Sequence, residues 1–381
     1  MLPDDGALLL VGETYNTADG YYAVRCLFGD PIIFLDKGDG DSVLVCSDFE
    51  RDTAAARTRA ARTRGFQDYG VADLPSTLSD AARIAALTLN VLRAEGVTRA
   101  TTTNTMPLSV ADFLRGHEID LVCQPDHFIP RRLIKGPDEL AAIESVQRAT
   151  EKAMAAAIGL IAGATVGKDS LLYEGGRAVT SERLHAVIDA SLLEDGCSSE
   201  GAIAAGGVQS AEPHNTGSGA IRAGQPVVID IFPRHRDLRY FSDMTRTVSK
   251  GKPDPEIARM YDLTSAALDH ALTLIKPGAS GHAVFEAVCR FYEENGCPTY
   301  LRENKMPKTG FIHGLGHGVG LDIHEGPSLG RRDDVLREGQ VITVEPGLYA
   351  PGLGGVRLED IVVVTADGLR NLTSFPRQLV V

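Results

Sequence analysis

The residues best suited to chemistry in this chain fall in one glycine-threaded stretch, His313-Gly314-Leu315-Gly316-His317-Gly318-Val319-Gly320-Leu321-Asp322-Ile323-His324-Glu325-Gly326-Pro327. It holds three of only ten histidines. Imidazole binds metals and moves protons near neutral pH. Glycines let a backbone press close to a metal or a substrate. Four carboxylates interrupt or border apolar segments on either side of the stretch. Asp230 lies in Val227-Val228-Ile229-Asp230-Ile231-Phe232, Asp243 in Ser242-Asp243-Met244-Thr245-Arg246, Glu345 at the end of Val341–Glu345, and Glu359 within Val356–Val364. An ionised carboxylate in an apolar strand is costly unless it is paired or coordinates a cation. One such acid is more often an ion-pair partner or a cap; four together point to a divalent metal. The set Asp230, Asp243, Glu345, Glu359 and one histidine is rich in oxygen and has no thiolate. That disfavours a structural zinc site and favours manganese, cobalt, iron or catalytic zinc. Four carboxylates also exceed the charge of one divalent ion. Two ions about 3–4 Å apart, sharing carboxylates, would balance them, as in two-metal hydrolytic centres.

Strands must carry the acids, and helices must cover those strands. Val227–Phe232, Val341–Glu345 and Val356–Val364 read as strands, and Ser181–Leu193, Pro255–Leu274 and Ser280–Asn295 as helices. Asp138 is a candidate N-cap for a long amphipathic helix over Glu139–Leu160, with Leu140, Ile143, Val146 and Ala149 on one face. Each half of this region shows helices followed by strands that carry two acids. Upstream, Ala7–Val11, Pro31–Leu35, Asp41–Ser47 and Ile119–Cys123 read as strands and Thr77–Ala94 as a helix. The basic, Pro/Gly-marked connection at 129–138 separates the two regions. We therefore expect an α/β chain of two domains, 1–132 and 133–381.

The 381-residue length suits two domains. The composition, 43% hydrophobic and 23% charged, is that of a globular protein. A formal charge of −13 argues against nucleic acid or an anionic membrane as a partner. The acidic start and the lack of a long apolar run give no secretion signal or membrane span, so a cytoplasmic location is expected. The six scattered cysteines then read as reduced, mostly buried thiols.

Five separated motifs carry a resemblance. They are Asp230, Tyr240-Phe241-Ser242-Asp243-Met244-Thr245-Arg246, His313 to Glu325, Val344-Glu345-Pro346-Gly347 and Gly355-Val356-Arg357-Leu358-Glu359-Asp360. From about residue 140 to 381 the chain resembles the pita-bread metallopeptidases of the prolidase and Xaa-Pro aminopeptidase branch. The resemblance implies a pseudo-twofold antiparallel sheet flanked by helices, preceded by a creatinase-like α/β domain that matches only loosely. It implies that Asp230, Asp243, His317, Glu345 and Glu359 hold two divalent ions, with manganese first among the candidates. It places His324 and His214 at the substrate as catalytic histidines, His313 in the pocket wall, and Arg357 behind a ligand. It also implies a homodimer.

One departure stands out. Asp230 and Asp243 are 13 residues apart, two more than the family usually has, and the segment Pro233–Arg239 between them is basic. An even insertion keeps strand parity, so both aspartates can face one side. Asp237 is a spare candidate, but it lacks the Ser-Asp-Met-Thr-Arg context. The added arginines are candidates for the pocket rim or a subunit contact. His117, His127, His185, His235, His270 and His282 read as solvated or helix-surface residues.

The implied reaction is hydrolysis of the Xaa-Pro bond in short peptides. A metal-activated hydroxide attacks the carbonyl, Glu345 acts as general base, and His324 or His214 stabilises the oxyanion. A proline leaving group fits a site that asks for no amide N–H. Two other readings compete. One is a hydrolase of a small non-peptide C–N bond, as among creatinase and ectoine-hydrolase relatives. The other is a non-catalytic pita-bread binding module, which retention of all five ligand types opposes.

Overall fold

The computed structural model describes residues 6–199, 201–299 and 308–381. They divide into two compact units, Met1–Pro130 and Arg131–Val381.

The first unit is built on one six-stranded mixed sheet, in the order Arg62–Gly65, Ser42–Cys46, Ile32–Asp36, Ala7–Gly12, Arg99–Thr102, Asp120–Cys123. Successive side chains on a strand point to opposite faces. Leu9, Ile33, Leu35, Val43 and Val45 enter a core shared with the helices Asp80–Ala94 and Leu108–Arg115. Leu8, Leu10, Ile32, Phe34 and Leu44 enter a second core with Val24 and Phe28. Burial on both faces explains why these strands read as unbroken apolar runs. The helix expected from Thr77 starts later, at Asp80, because Ser79 caps it by accepting the Ala82 N–H at 3.3 Å.

In the second unit, helix Pro137–Gly163 is capped at Gly136 rather than at Asp138. Pro137 occupies the first helical position, where its missing N–H costs nothing. Glu139 then reaches back to accept the Gly136 N–H at 2.8 Å. This helix and Ser181–Glu194 cover a three-stranded antiparallel sheet of Ile203–Gly206, Val227–Ile231 and Met244–Val248. Val146, Met154, Ile161, Leu184, Ile188, Ile229 and Met244 fill the core between them.

The element order then repeats. Helices Pro255–Leu274 and Gly281–Glu294 cover a five-stranded antiparallel sheet, ordered Glu325–Leu329, Gly316–Gly318, Val341–Val344, Asp360–Val364, Leu369–Asn371. Ile257, Leu268, Phe285, Tyr292, Ile342, Val344 and Val362 form its core. The expected single strand Val356–Val364 is two strands in different sheets. Gly354–Arg357 pairs with Gly347–Ala350, and Asp360–Val364 pairs with Val341–Val344. The chain breaks between them at Leu358-Glu359, where the Glu359 N–H donates to Thr245 O at 3.1 Å. That bond ties the second half of the unit to the first. No helix among the described residues is long and apolar enough to cross a membrane.

Two glycine substitutions should have opposite effects. A Cβ at Gly318 would lie 1.9 Å from Gly326 O, a backbone atom that cannot swing away. Gly318→Ala should cost about 1–3 kcal/mol, as overpacking does. Gly159 lies inside helix Pro137–Gly163 with open space beside it. Gly159→Ala should be neutral or stabilise by up to about 1 kcal/mol. Denaturant unfolding of both variants checks the pair; a harmless Gly318→Ala would contradict the close approach.

Candidate functional site

Nine side chains stand out in the sequence, and all nine line one cavity of about 410 Å³ in the second unit: Asp230, Asp243, His317, Glu345, Glu359, His214, His313, His324 and Arg357. Strand register explains how the acids converge. Asp230 pairs with Thr245 and Ile231 with Met244, so Asp243 stands one step beyond the paired strands, opposite Phe232. Asp230 and Asp243 thus share a sheet face. In the other sheet Val344 pairs with Asp360, which puts Glu345 and Glu359 at the next position outward. The Glu345 N–H donates to Leu315 O at 2.8 Å and holds it against the histidine-bearing segment. Gly316 is needed there, since a Cβ would meet Thr343 O at 2.1 Å.

The acids are buried and under-satisfied. Asp230 Oδ1 and Asp243 Oδ1 are buried with no hydrogen-bond partner. Burial, reinforced by Glu359, Asp230 and Glu345, raises the Asp243 pKa well above the usual carboxylate range. Burial raises Glu359 likewise, with Glu345 and Asp230 adding to it. Burial pushes Glu345 to about 8, against a lowering by Arg357. Arg357 is the one guanidinium or ammonium group among the described lining residues. It donates to Asp230 Oδ2 at 2.6 Å, Thr245 Oγ1 at 3.2 Å, Tyr349 Oη at 3.0 Å and Pro213 O at 3.1 Å. Those contacts fix Asp230 and the backbone beside His214, and spend the guanidinium's direct contacts on one of the four acids.

The histidines differ in what they can do. His317 Nδ1 faces Gly318 O at 3.1 Å, so its other nitrogen carries the lone pair. That nitrogen, Nε2, lies 3.7 Å from both Asp243 Oδ2 and Glu345 Oε1. Burial, aided by His324, lowers the His317 pKa to about 4, so the ring is neutral at pH 7. A neutral imidazole lone pair and the oxygens of two acids therefore converge on one point, a geometry that a cation would satisfy. Asp243, His317 and Glu359 each offer a ligand atom within 4.8 Å of the others. The donor set thus fits a hard or borderline divalent metal.

His313 is fully engaged elsewhere. Its Nδ1 faces Gly314 O at 2.7 Å and its Nε2 receives the Tyr349 hydroxyl at 2.9 Å. Burial, with Arg357 nearby, lowers its pKa to about 3. It is a neutral wall of the cavity. His324 stacks edge-on against His317, ring centres 4.3 Å apart. Burial lowers its pKa, with His214 contributing. His214 also lines a second, open groove with Glu212, Asn215 and Lys308.

Two expectations need correction. No residue of 233–239 lines the cavity, so the added arginines do not shape its rim. His235 is not a merely solvated side chain either. Its Nδ1 accepts the N–H groups of Asp237 and Leu238, each at 3.1 Å, and so caps the turn that absorbs the added residues. Asp237 is exposed on that turn. Two further residues complete the site. Thr245 donates to Glu359 Oε2 at 2.8 Å across the two halves, and Tyr349 links His313 to Arg357. The signal for Thr245 was its place two residues after Asp243, on the same strand face.

Known proteins give the site a context. Residues 141–366 match metallopeptidase family M24. The chain is 35% identical over 252 residues to an Xaa-Pro dipeptidase of Pyrococcus furiosus, and the match spans 65% of each chain. It resembles the solved prolidase of Pyrococcus horikoshii OT3 with a TM-score of 0.77 at 26% identity, over 98% of this chain and 95% of that one. It shares the fold of an X-Pro aminopeptidase from Thermotoga maritima MSB8, with a TM-score of 0.80 at 24% identity over 99% and 97% of the two chains. The fold is the pita-bread fold with an α/β domain before it. By this match and the geometry of its buried acids, the chain belongs to metallopeptidase family M24.

Proposed function

We propose that this protein hydrolyses the Xaa-Pro bond of short peptides with two divalent metal ions held by Asp230, Asp243, His317, Glu345 and Glu359. The observation that carries the proposal is the pair of buried, unpartnered carboxylate oxygens on Asp230 and Asp243, in a cavity with four acids and one guanidinium. When bound, the ions supply Lewis-acid activation of a water and of the scissile carbonyl. The side chain of Glu345 is 20% exposed against 7% for Asp243, so Glu345 presents an edge to the cavity. It accepts the water proton and delivers it to the leaving nitrogen. His324 borders the cavity beside His317 and donates to the developing oxyanion. His214 lines the adjoining groove as well and contacts the peptide on that side. His313 keeps Tyr349 and Arg357 in place, and Arg357 orients Asp230.

Proline as the residue after the scissile bond rests on the likeness to the prolidases and on a mechanism that uses no amide N–H from the leaving group. Manganese is the first candidate metal, with cobalt, iron and zinc accepted by the same ligands. The homodimer rests on the family resemblance. A cytoplasmic location accords with six free thiols, five of them buried.

Activity is checked with purified protein in Mn²⁺, offered Ala-Pro, Ala-Pro-Ala and Ala-Ala. Cleavage of Ala-Pro alone identifies a dipeptidase; cleavage of Ala-Pro-Ala, an aminopeptidase. No turnover of either proline peptide by the metal-loaded protein contradicts the proposal. Glu345→Gln should lower kcat by at least about 10²-fold, the range lost with a general base, while the circular dichroism spectrum stays that of the wild type.

The acids also set a pH dependence for the metal-free protein. The folded pKa of Glu345 is raised to about 8, and those of Asp243 and Glu359 are raised too. An acid raised in the folded state binds more protons there than when unfolded, so stability falls as pH climbs toward the folded value. His317 and His313 are lowered to about 4 and 3, so their contribution is lost only as pH drops below about 6.5. Between pH 6.5 and 8 the carboxylates act alone. The Tm in EDTA should fall across that window, and saturating Mn²⁺ should remove the fall. Calorimetry in both buffers measures it; a flat or rising metal-free Tm would count against ionisable acids crowded without a cation.

A further inference from the structure

Among the described residues His324 makes no side-chain hydrogen bond within the protein; its ring contact is the edge-on approach to His317. The next residue, by contrast, is held by two cations. Lys135 Nζ lies 2.5 Å from Glu325 Oε1, and Arg132 Nη2 lies 2.9 Å from Glu325 Oε2 and 2.5 Å from Asp322 Oδ2. The Lys135 side chain is 1% exposed, and those of Arg132 and Glu325 are 9%. Asp322 and Glu325 bracket His324 in the chain, so the cluster grips the turn before and after it. Gly320 makes room for it: a Cβ there would lie 2.6 Å from Glu325 Oε1. Gly320 O also accepts the Phe241 N–H at 2.8 Å, which ties the turn to the segment leading to Asp243. Lys135 is fixed in turn, its backbone N–H donating to Gly339 O at 2.9 Å.

We propose that Arg132 and Lys135, acting through Glu325, are positioning residues that set His324 over the reacting carbonyl. This rests on the role given to His324 in the proposed function. A buried ion cluster is a poor source of net stability, since apolar residues of similar volume pack as well. What it supplies is direction, and a group that acts on a transition state tolerates little displacement. A shift of about 1 Å can cost on the order of 10²-fold in rate.

The test uses the full, metal-loaded chain. Glu325→Gln should lower kcat on the proline peptide by about 10–100-fold, with KM and bound-metal content unchanged. In a His324→Ala background the same substitution should cause no further loss. An additive loss, or metal content falling in step with kcat, overturns the proposal. Should Glu325→Gln fail to fold, the double variant Lys135→Met, Glu325→Met keeps the volume, removes the Lys135–Glu325 pair and leaves Arg132 paired with Asp322. It should show the same loss of kcat at an undiminished Tm, and full activity overturns the proposal. One arm needs no substrate. The ¹H–¹⁵N ring signals of His324, assigned through His324→Ala, should shift in Glu325→Gln while those of His313 stay; unmoved His324 signals refute the clamp. Shifted signals in a protein inactive on every proline peptide would uphold the clamp and refute the substrate reading.

Discussion

Four carboxylates share one cavity with four histidines and, among the described residues, a single guanidinium, and the rest of the second unit is arranged to keep them there. Acids so placed repel one another and lose their hydration, which is why Asp243, Glu345 and Glu359 all hold protons above their ordinary range. A fold that maintains such a cluster without a cation would work against its own stability. In the proposed site, divalent ions would take the same oxygens as ligands and turn the cost into affinity.

Each half of the unit delivers two acids from the ends of antiparallel strands, and the halves are bolted together beside them. Arg246 is the bolt. Its buried guanidinium donates to Thr245 O at 2.9 Å, Glu359 O at 2.7 Å, Asp360 Oδ1 at 2.8 Å and Phe375 O at 2.8 Å. The first two carbonyls belong to Thr245, two residues after Asp243, and to Glu359, in opposite halves. Thr245 adds its hydroxyl to Glu359 Oε2, and Arg357 crosses from the second half to Asp230 in the first. An error in either strand register would turn these side chains away from the cavity and into a core. The apolar packing of both halves and the geometry of the acids are therefore one constraint.

Much of this was legible in the sequence because buried charge is conspicuous. Asp230 among valines and isoleucines, and Glu359 beside Ile361 to Val364, could not be ordinary core residues, and parity alone allowed Asp230 and Asp243 a common face despite the longer turn. Histidine spacing did not separate His313, His317 and His324; the resemblance did. What stayed hidden depends on three-dimensional partners. The break at Leu358-Glu359 follows from a bond to Thr245, more than a hundred residues earlier. His235 looked idle because its two acceptor contacts are to backbone N–H groups that no side-chain pattern records. Tyr349 carries no sequence mark, and only its contacts to His313 and Arg357 reveal its place behind the cavity. Asp138 is the cap the sequence suggests for helix Pro137–Gly163, since aspartate is the commoner cap, whereas Pro137 and Glu139 make Gly136 the better one.

In the proposed function the four acids and His317 form a two-cation site. Isothermal titration of Mn²⁺ into the metal-free protein, repeated in buffers of different ionisation heat, measures the ion count and the protons released. Two ions per chain with net proton release near pH 7 is the expected result, since acids protonated in the empty cavity must ionise to bind. One ion or none, or binding without proton release, would contradict it.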